Sequence, residues 1–323
     1  MRRHVKIKFV DFWPSFDCEN NKFADALRLR HDVEVLPRDG DDVPDILFYS
    51  RCGCGEHLKY DCVKVYFTGE NDFPDFNECD YALSFYNCVL GDRHMRYPLY
   101  MLYETGGALS PPALADKEAL GRGFCSVVMR NSSNCDPMRL RIIDAVESYR
   151  PLAYGGPYRN NTGGPVAEKI PFIAGYKFNL ALENSIVDGY VTEKLLEPLA
   201  AATVPVYWGS RQACRDFNPD AFINVGDYDS TDSLVEAIRR IDNDAEEYLR
   251  ILRAPNFKDQ EPVDFDSRLA DFLDNIVCGM KRYRVRFGEM AVLHERRCVT
   301  VPLTGKRWSY RVMKLFSGRL GRR

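Results

Sequence analysis

Three side chains at one helix start could do chemistry together: Tyr190, Glu193 and Lys194 in the run GYVTEKLLEPL. Val191, Leu195, Leu196 and Leu199 recur at helical spacing, which predicts a helix over 191–202 with the three polar residues in its first turn. Backbone N–H groups lack partners there and the helix dipole is positive. The dipole does not favour a lysine, but a phosphate would be held by the lysine and the helix end at once. Glu193 could accept hydrogen bonds from sugar hydroxyls. On spacing alone, a capping carboxylate beside a solvated lysine explains the same cluster. Arg139 falls in the first turn of another predicted helix, 137–149, again a place where a phosphate could bind. Taken alone, a solvent-facing arginine near Arg141 is the simpler reading. Glu70 lies just past a predicted strand, where a turn carboxylate is the plain alternative to a chemical role.

The elements that must position these residues read as strands alternating with helices, the pattern of an open α/β sheet. Tyr176–Ser210 reads strand, loop, helix, strand. Lys177–Leu182 alternates polar and apolar as a strand edge would, and Asn184, Ser185, Asp188 and Gly189 form a turn-rich loop. Val204–Trp208 is a short apolar strand, so the stretch is a β-α-β unit. Upstream, His4–Val10, Val33–Leu36, Ile46–Tyr49, Val63–Phe67 and Tyr81–Phe85 read as strands, with a helix at 23–30. In such sheets ligands sit at the carboxyl ends of strands, and Glu70 follows one. Residues 104–122, rich in Gly, Pro and Ala, read as a link. Phe124–Met129 is a further strand, and Asp136 and Pro137 are N-cap and first residue of the helix that carries Arg139. Residues 151–175 read as a flexible loop, Phe222–Val225 as a strand, and 231–241 and 244–253 as helices.

FNLALENS, GYVTEKLLEPL and TVPVYWGS resemble, in that order, the donor-binding motif of the α1,3-fucosyltransferases, bacterial and Golgi. The similarity to the Helicobacter-type bacterial enzymes continues in VYFTGEN (65–71), GDRHMRYPLY (91–100) and DFNPDAFINVGDY (216–228), over roughly residues 5–255. The resemblance implies a GT-B fold, two facing Rossmann-like domains with a cleft between them. The expected units are 1–115 for the acceptor, 116–280 for GDP-fucose, and a basic tail 281–323. It implies inverting transfer of L-fucose from GDP-β-L-fucose to an N-acetylglucosamine hydroxyl, α1,3 or α1,4, of an N-acetyllactosamine-like glycan, in surface-polysaccharide or Lewis-antigen synthesis. By the same resemblance Arg139 contacts the donor diphosphate, with Asn184, Tyr190, Glu193 and Lys194 also on the donor, and Glu70 is the catalytic base. Asp227-Tyr228-Asp229 has the letters of a metal-binding Asp-X-Asp pair, but in the family this segment is a surface turn. No metal or other cofactor is expected, positive side chains taking the metal's place. The other readings are a transferase of another GDP-sugar and a non-catalytic glycan-binding relative. Acceptor-binding loops are expected at 11–20, 50–62 and 72–90.

The totals fit this reading. A chain of 323 residues suits two domains, and 45% hydrophobic residues suffice for their cores. A net charge of −3 does not support a nucleic-acid partner. The average hides an asymmetry: thirteen lysines and arginines lie between Lys281 and Arg323, against Glu289 and Glu295 alone. Val312, Leu315, Phe316 and Leu320 sit at helical spacing among them, which predicts a helix on an anionic membrane surface or one packed back on the first domain. Eleven cysteines include one CxC, Cys52 to Cys54, rather than the paired CxxC of a zinc site, so reduced thiols are expected. No leader or membrane span is read, and the enzyme is expected to be cytoplasmic and peripheral on the inner membrane face. Asn131-Ser132-Ser133 and Asn160-Asn161-Thr162 fit a glycosylation acceptor only in letters.

Overall fold

The computed structural model describes residues 2–53, 55–103, 106–130, 135–258 and 264–283. The expected membrane-surface helix of the tail and the Asn131 sequence lie outside them. The predicted strands of the first half become β1 (His4–Val10), β2 (Asp32–Val35), β3 (Ile46–Tyr49), β4 (Val63–Phe67) and β5 (Tyr81–Ser84). A three-residue strand that periodicity cannot detect, β6 (His94–Arg96), completes a parallel sheet of order β2-β1-β3-β4-β5-β6. β3, β4 and β5 are buried along their whole length, as strands covered on both faces must be. Helix α1 (Lys22–Arg28) follows β1, and the Asn21 side chain caps it by accepting from the backbone N–H of Phe23 and Ala24 at 3.1 and 3.0 Å.

The predicted link is not structureless. It contains two short helices, α2 (Gly106–Leu109) and α3 (Asp116–Leu120). The second sheet follows, built from β7 (Gly123–Val127), β8 (Ala153–Tyr154), β9 (Tyr176–Leu182), β10 (Val204–Trp208) and β11 (Ile223–Asn224) in the parallel order β11-β10-β9-β7-β8. β9 is no edge: it lies between β7 and β10 and is buried from Lys177 onward. Its polar residues are matched internally. Lys177 Nζ donates to Asp242 Oδ1 at 2.8 Å, and Asn179 Nδ2 to Ser126 Oγ at 2.9 Å. Helix α4 spans Pro137–Tyr149 as predicted, with Asp136 as N-cap.

The segment 151–175 is also more ordered than its composition predicts. It supplies β8 and a five-residue helix, α5 (Lys169–Ile173). The Asn160 amide donates to the carbonyls of Tyr154, Gly156 and Gly164, each at 3.0 Å, so one side chain satisfies the backbone of the glycine-rich turn.

Helix α6 (Glu193–Ala200) crosses from β9 to β10, and α7 (Thr231–Asn243) and α8 (Ala245–Leu252) cover the second sheet. The apolar stripe of α6 has an unexpected address. Val191, Leu195, Leu196 and Leu199 pack in one cluster with Tyr100, Met101, Phe265 and Leu269, so the core of the first sheet runs on into this helix.

A last helix, α9 (Phe265–Gly279), has no counterpart in the sequence reading. Phe265, Leu269, Leu273, Ile276 and Val277 are buried on one face. Its polar side meets α1 and its surroundings: Lys22 Nζ donates to Asp266 at 2.9 Å, His31 Nε2 meets Asp274 Oδ1 at 2.9 Å, and Arg30 pairs with Asp271. Chain order counts these residues with 116–280, but the ion pairs go to the first sheet's layer.

Candidate active site

Both sheets are parallel, so the loops that leave their strands share one edge, and the two edges meet. Asn71, just after β4, donates from Nδ2 to Ser185 Oγ, after β9, at 3.0 Å. Asn87, after β5, is hydrogen-bonded to Gln212 and Arg215, after β10. Arg96 at the end of β6 grips Asp216 through both guanidinium nitrogens, one at 3.0 Å, with both side chains buried.

Gly189 shows how close the approach is. Its φ is +87°, a conformation that side chains resist, and a Cβ there would lie 2.5 Å from the Phe85 carbonyl oxygen. Gly189→Ala is therefore expected to destabilise the protein by more than about 1 kcal/mol and to displace the loop 184–189. Urea denaturation measures this, and an unchanged midpoint would mean that the loop is not fixed against Phe85.

Two of the six candidate residues, Glu193 and Lys194, and one unforeseen carboxylate form a network at the start of α6. Thr192 is the N-cap, accepting from the Lys194 N–H at 3.4 Å. Glu193 and Lys194 are the first helical residues, whereas Tyr190 stands two residues before the cap, outside the first turn where periodicity placed it. The reason is Thr192, whose side chain offers a better cap than Val191 and starts the helix later. Lys194 Nζ lies 3.2 Å from Glu183 Oε2, 3.1 Å from Thr192 Oγ1 and 3.6 Å from Glu193 Oε1. Burial works against its charge, but Glu183 and Glu193 hold its pKa above the ordinary lysine value.

Glu183 is the residue that sequence reasoning missed. It is fully buried at the end of β9 and accepts from the Thr192 N–H at 2.8 Å and the Thr192 hydroxyl at 2.9 Å. Burial pushes its pKa up, against the pull of Lys194 and Thr192. Only its place beside Lys194 reveals it. In sequence, Glu183 sits next to Asn184 and eleven positions from the lysine, too far for any local rule to pair them.

Arg139 and Asn184 meet directly, Nη1 donating to Oδ1 at 2.8 Å. Arg139 is buried, not solvent-facing, and its Nε has no hydrogen-bond partner. Burial lowers its pKa, yet a guanidinium stays protonated in proteins. Its charge reaches both Lys194 and the buried Tyr190 phenol, so the two cations share one field. Tyr190 packs edge-on against Phe85 at 5.1 Å.

Glu70 stands apart from this network and opposite it. It follows β4 by three residues, exposed, with its N–H donated to Thr68 Oγ1 at 3.0 Å. Among the described residues its carboxylate has no hydrogen-bond or ion-pair partner. Its neighbour Asn71 bonds to Ser185 across the seam, and burial, then Glu183 and Glu70, raise the pKa of the Tyr190 phenol. The arrangement offers two cations and a helix N-terminus to an anionic leaving group, and a carboxylate across the seam to accept a proton.

Asp227 and Asp229 lie elsewhere. Asp227 ends a 3-10 turn, where Oδ1 accepts from Asn224 Nδ2 at 2.8 Å, and Asp229 is exposed beyond it. Among the described residues no group of three or more His, Cys, Asp or Glu is placed to hold a metal ion. Burial pushes the Cys62 thiol up to about 11 and the Cys79 thiol higher. No helix of the described residues is long and apolar enough to cross a membrane.

Comparison with known proteins bears on all of this. Residues 7–103 match the α-(1,3)-fucosyltransferase FucT N-terminal domain, and residues 124–278 match the C-terminal part of glycosyltransferase family 10 (fucosyltransferase). The α-(1,3)-fucosyltransferase FucT of Helicobacter pylori is 32% identical over 286 residues, which are 77% of this chain and 59% of that protein. The chain thus spans about three fifths of the length of that curated relative. The 4-galactosyl-N-acetylglucosaminide 3-α-L-fucosyltransferase 9 of Cricetulus griseus is 41% identical over 96 residues, 28% of this chain and 27% of its own. A crystal structure of an α1,3-fucosyltransferase with GDP-fucose superposes with a TM-score of 0.75 at 27% identity, covering 88% of this chain and 94% of its own. A glycosyltransferase of Rickettsia africae superposes at 0.54 with 10% identity over 86% and 97% of the two chains, a likeness of fold alone. The two facing parallel sheets are the GT-B arrangement that the resemblance implied.

Proposed function

The chain belongs to the family 10 α1,3-fucosyltransferases, and on that premise we propose that it transfers L-fucose from GDP-β-L-fucose to an N-acetylglucosamine hydroxyl, with inversion. The observation that carries the reading is the hydrogen bond from Asn71 to Ser185, which sets the loop of Glu70 against the loop that leads from Asn184 to Lys194. GDP leaves with charge growing on its β-phosphate. Arg139 offers a planar fork to the phosphate oxygens and Lys194 a point charge, with the first N–H groups of α6 beside them. Asn184 orients the Arg139 guanidinium, and Glu183 and Thr192 fix Lys194. The Tyr190 hydroxyl is a further donor, and Glu193 accepts from donor hydroxyls. The field is preorganised, so it stabilises the separating diphosphate without reorganising at the moment of reaction.

Glu70 takes the proton of the acceptor hydroxyl as that oxygen attacks the anomeric carbon on the face opposite the diphosphate. One displacement of this kind turns β-linked fucose into an α-linked product. The Cricetulus griseus relative is a 4-galactosyl-N-acetylglucosaminide 3-α-L-fucosyltransferase, which supports an N-acetyllactosamine-like acceptor, such as surface polysaccharides or Lewis antigens carry. The test is incubation with GDP-fucose and N-acetyllactosamine, with NMR of the product for anomer and linkage. An α1,3- or α1,4-linked fucose on the N-acetylglucosamine is expected, and activity is expected to survive EDTA because side chains meet the phosphate charge. Loss in EDTA with recovery on Mn²⁺ would reopen the role of Asp227 and Asp229. A β-linked product would exclude the single displacement.

A further inference from the structure

A second concavity opens at the β6 end of the first sheet. It has a volume of ≈ 620 Å³ and is lined in part by Tyr86, His94, Arg96, Arg215, Arg268 and Phe272. That volume lies within the range of small-molecule sites. Neither cation of the donor cluster lines it. Its walls come from the loop after β5, the turn after β10 and helix α9, so it exists only because the two sheets and the last helix meet there.

The lining has a definite charge character. Arg215 is exposed and touches the Asn87 side chain, and Arg268 is exposed over the Phe265 ring at 5.5 Å. Neither has a carboxylate partner among the described residues. Arg96 is buried against Asp216, and its Nε has no hydrogen-bond partner. The two acids of the lining are engaged by other groups. Asp92 accepts from the Tyr283 hydroxyl at 2.7 Å and Asp271 pairs with Arg30. His94 is held between Ser84 Oγ and the Cys88 carbonyl at 2.8 and 3.0 Å, and burial lowers its pKa, which keeps it neutral near pH 7. The cavity therefore presents two guanidinium groups without carboxylate partners among the described residues, together with the rings of Tyr86 and Phe272, surfaces on which the C–H faces of a sugar can pack.

Tyr86 ties this cavity to the catalytic loop. Its hydroxyl donates to Asn71 Oδ1 at 3.4 Å, and Asn71 directly follows Glu70. A glycan held at Glu70 that extends past Tyr86 reaches the cavity whose wall Tyr86 shares with the two arginines. We propose that this cavity is a subsite for the outer part of the acceptor glycan, and that Arg215 and Arg268 bind an anionic group carried there. This rests on the fucosyl-transfer reading for the identity of the ligand. A sugar carboxylate and a sulfate ester share the required chemistry, since either accepts two parallel N–H bonds from a guanidinium.

Calorimetry on the full chain with GDP bound tests it, using N-acetyllactosamine, its sialylated form and its sulfated form as probes. At least one charged probe is expected to bind about tenfold more tightly than the neutral disaccharide, a gain that fades in high salt as surface ion pairs do. Which of the two charged probes gains distinguishes carboxylate from sulfate. In Arg268→Gln, which spares the Arg215–Asn87 contact, the gain should fall with kcat on neutral N-acetyllactosamine and the melting temperature unchanged. In Arg215→Gln/Arg268→Gln it should vanish, with circular dichroism checking that the fold is kept. Equal binding of all three probes overturns the proposal, and so does a preference that survives the double substitution. Inorganic sulfate binding as tightly as the sulfated sugar would overturn it too, by making the site one for a free anion. Binding is read without turnover, so a charge preference in a protein that transfers no fucose would count against the transfer reading and leave the subsite standing.

Discussion

Glu70→Gln is expected to lower fucose transfer by about 10²–10⁴-fold, the usual contribution of a general base, with GDP-fucose affinity nearly unchanged. The substitution keeps the size of the side chain and its backbone contact with Thr68 but cannot take a proton. Glu70 is suited to the task because nothing else holds it: its carboxylate is exposed and without a partner among the described residues. The neighbouring acids are occupied. Asp72 accepts from the Tyr66 hydroxyl at 2.9 Å and lies 3.6 Å from Arg51, and Asp75 accepts from the Asn77 N–H at 2.8 Å. Steady-state kinetics with calorimetry on GDP-fucose gives the split between turnover and binding. Transfer at the wild-type rate would remove Glu70 from the mechanism and turn attention to Asp72 and Asp75. A lectin-like relative would show no turnover in either protein, which separates a wrong residue from a wrong reaction.

Lys194→Met and Arg139→Ala should act differently, each weakening GDP binding as well as turnover. A charge-assisted hydrogen bond is worth roughly 1.5–3 kcal/mol, so a loss of about 10–150-fold in affinity is expected from each, with a larger loss in kcat/KM where charge develops. Lys194 requires a control, because it is also the partner of the buried Glu183. Removing one member of a buried pair is costly in itself, about 3–5 kcal/mol. Lys194→Met should therefore also lower thermal stability, and Glu183→Gln/Lys194→Met should recover most of it by removing the stranded charge. If the double variant regains stability and also binds GDP like the wild type, Lys194 is a structural partner of Glu183 and no phosphate ligand. Arg139→Lys keeps a charge but loses the fork that meets Asn184 and the diphosphate, and it should bind GDP less well than wild type in spite of its charge.

Much of this site was present in short windows of sequence. The β9-α6-β10 unit could be read because apolar spacing, a turn-rich loop and a second apolar run lie within 35 residues. Asp136-Pro137 announced α4, and with it the place of Arg139, through the chemistry of one cap. Glu70 could be placed just past β4 because a strand end is a local event, but the role expected of it came from the resemblance of TGEN alone. What those windows could not contain is the set of contacts made across the fold. Glu183 looks like one more turn residue until Thr192 and Lys194 enclose it. The late start of α6, which leaves Tyr190 outside the helix, depends on a competition between Val191 and Thr192 that hydrophobic spacing does not register. α5 and β8 are too short to form alone: the Asn160 and Asn161 amides and strand β7 satisfy the backbone of β8, and the Thr203 hydroxyl donates to the last carbonyl of α5. The amphipathic spacing of α9 was there to be read, but its docking partner α1 lies some 240 positions away. The cavity beside Arg215 and Arg268 is made of three segments that share no sequence neighbourhood. Periodicity and capping are properties of consecutive residues. Burial of a charge, the facing of two sheets and the shape of a groove are decided only when distant segments exclude water from one another.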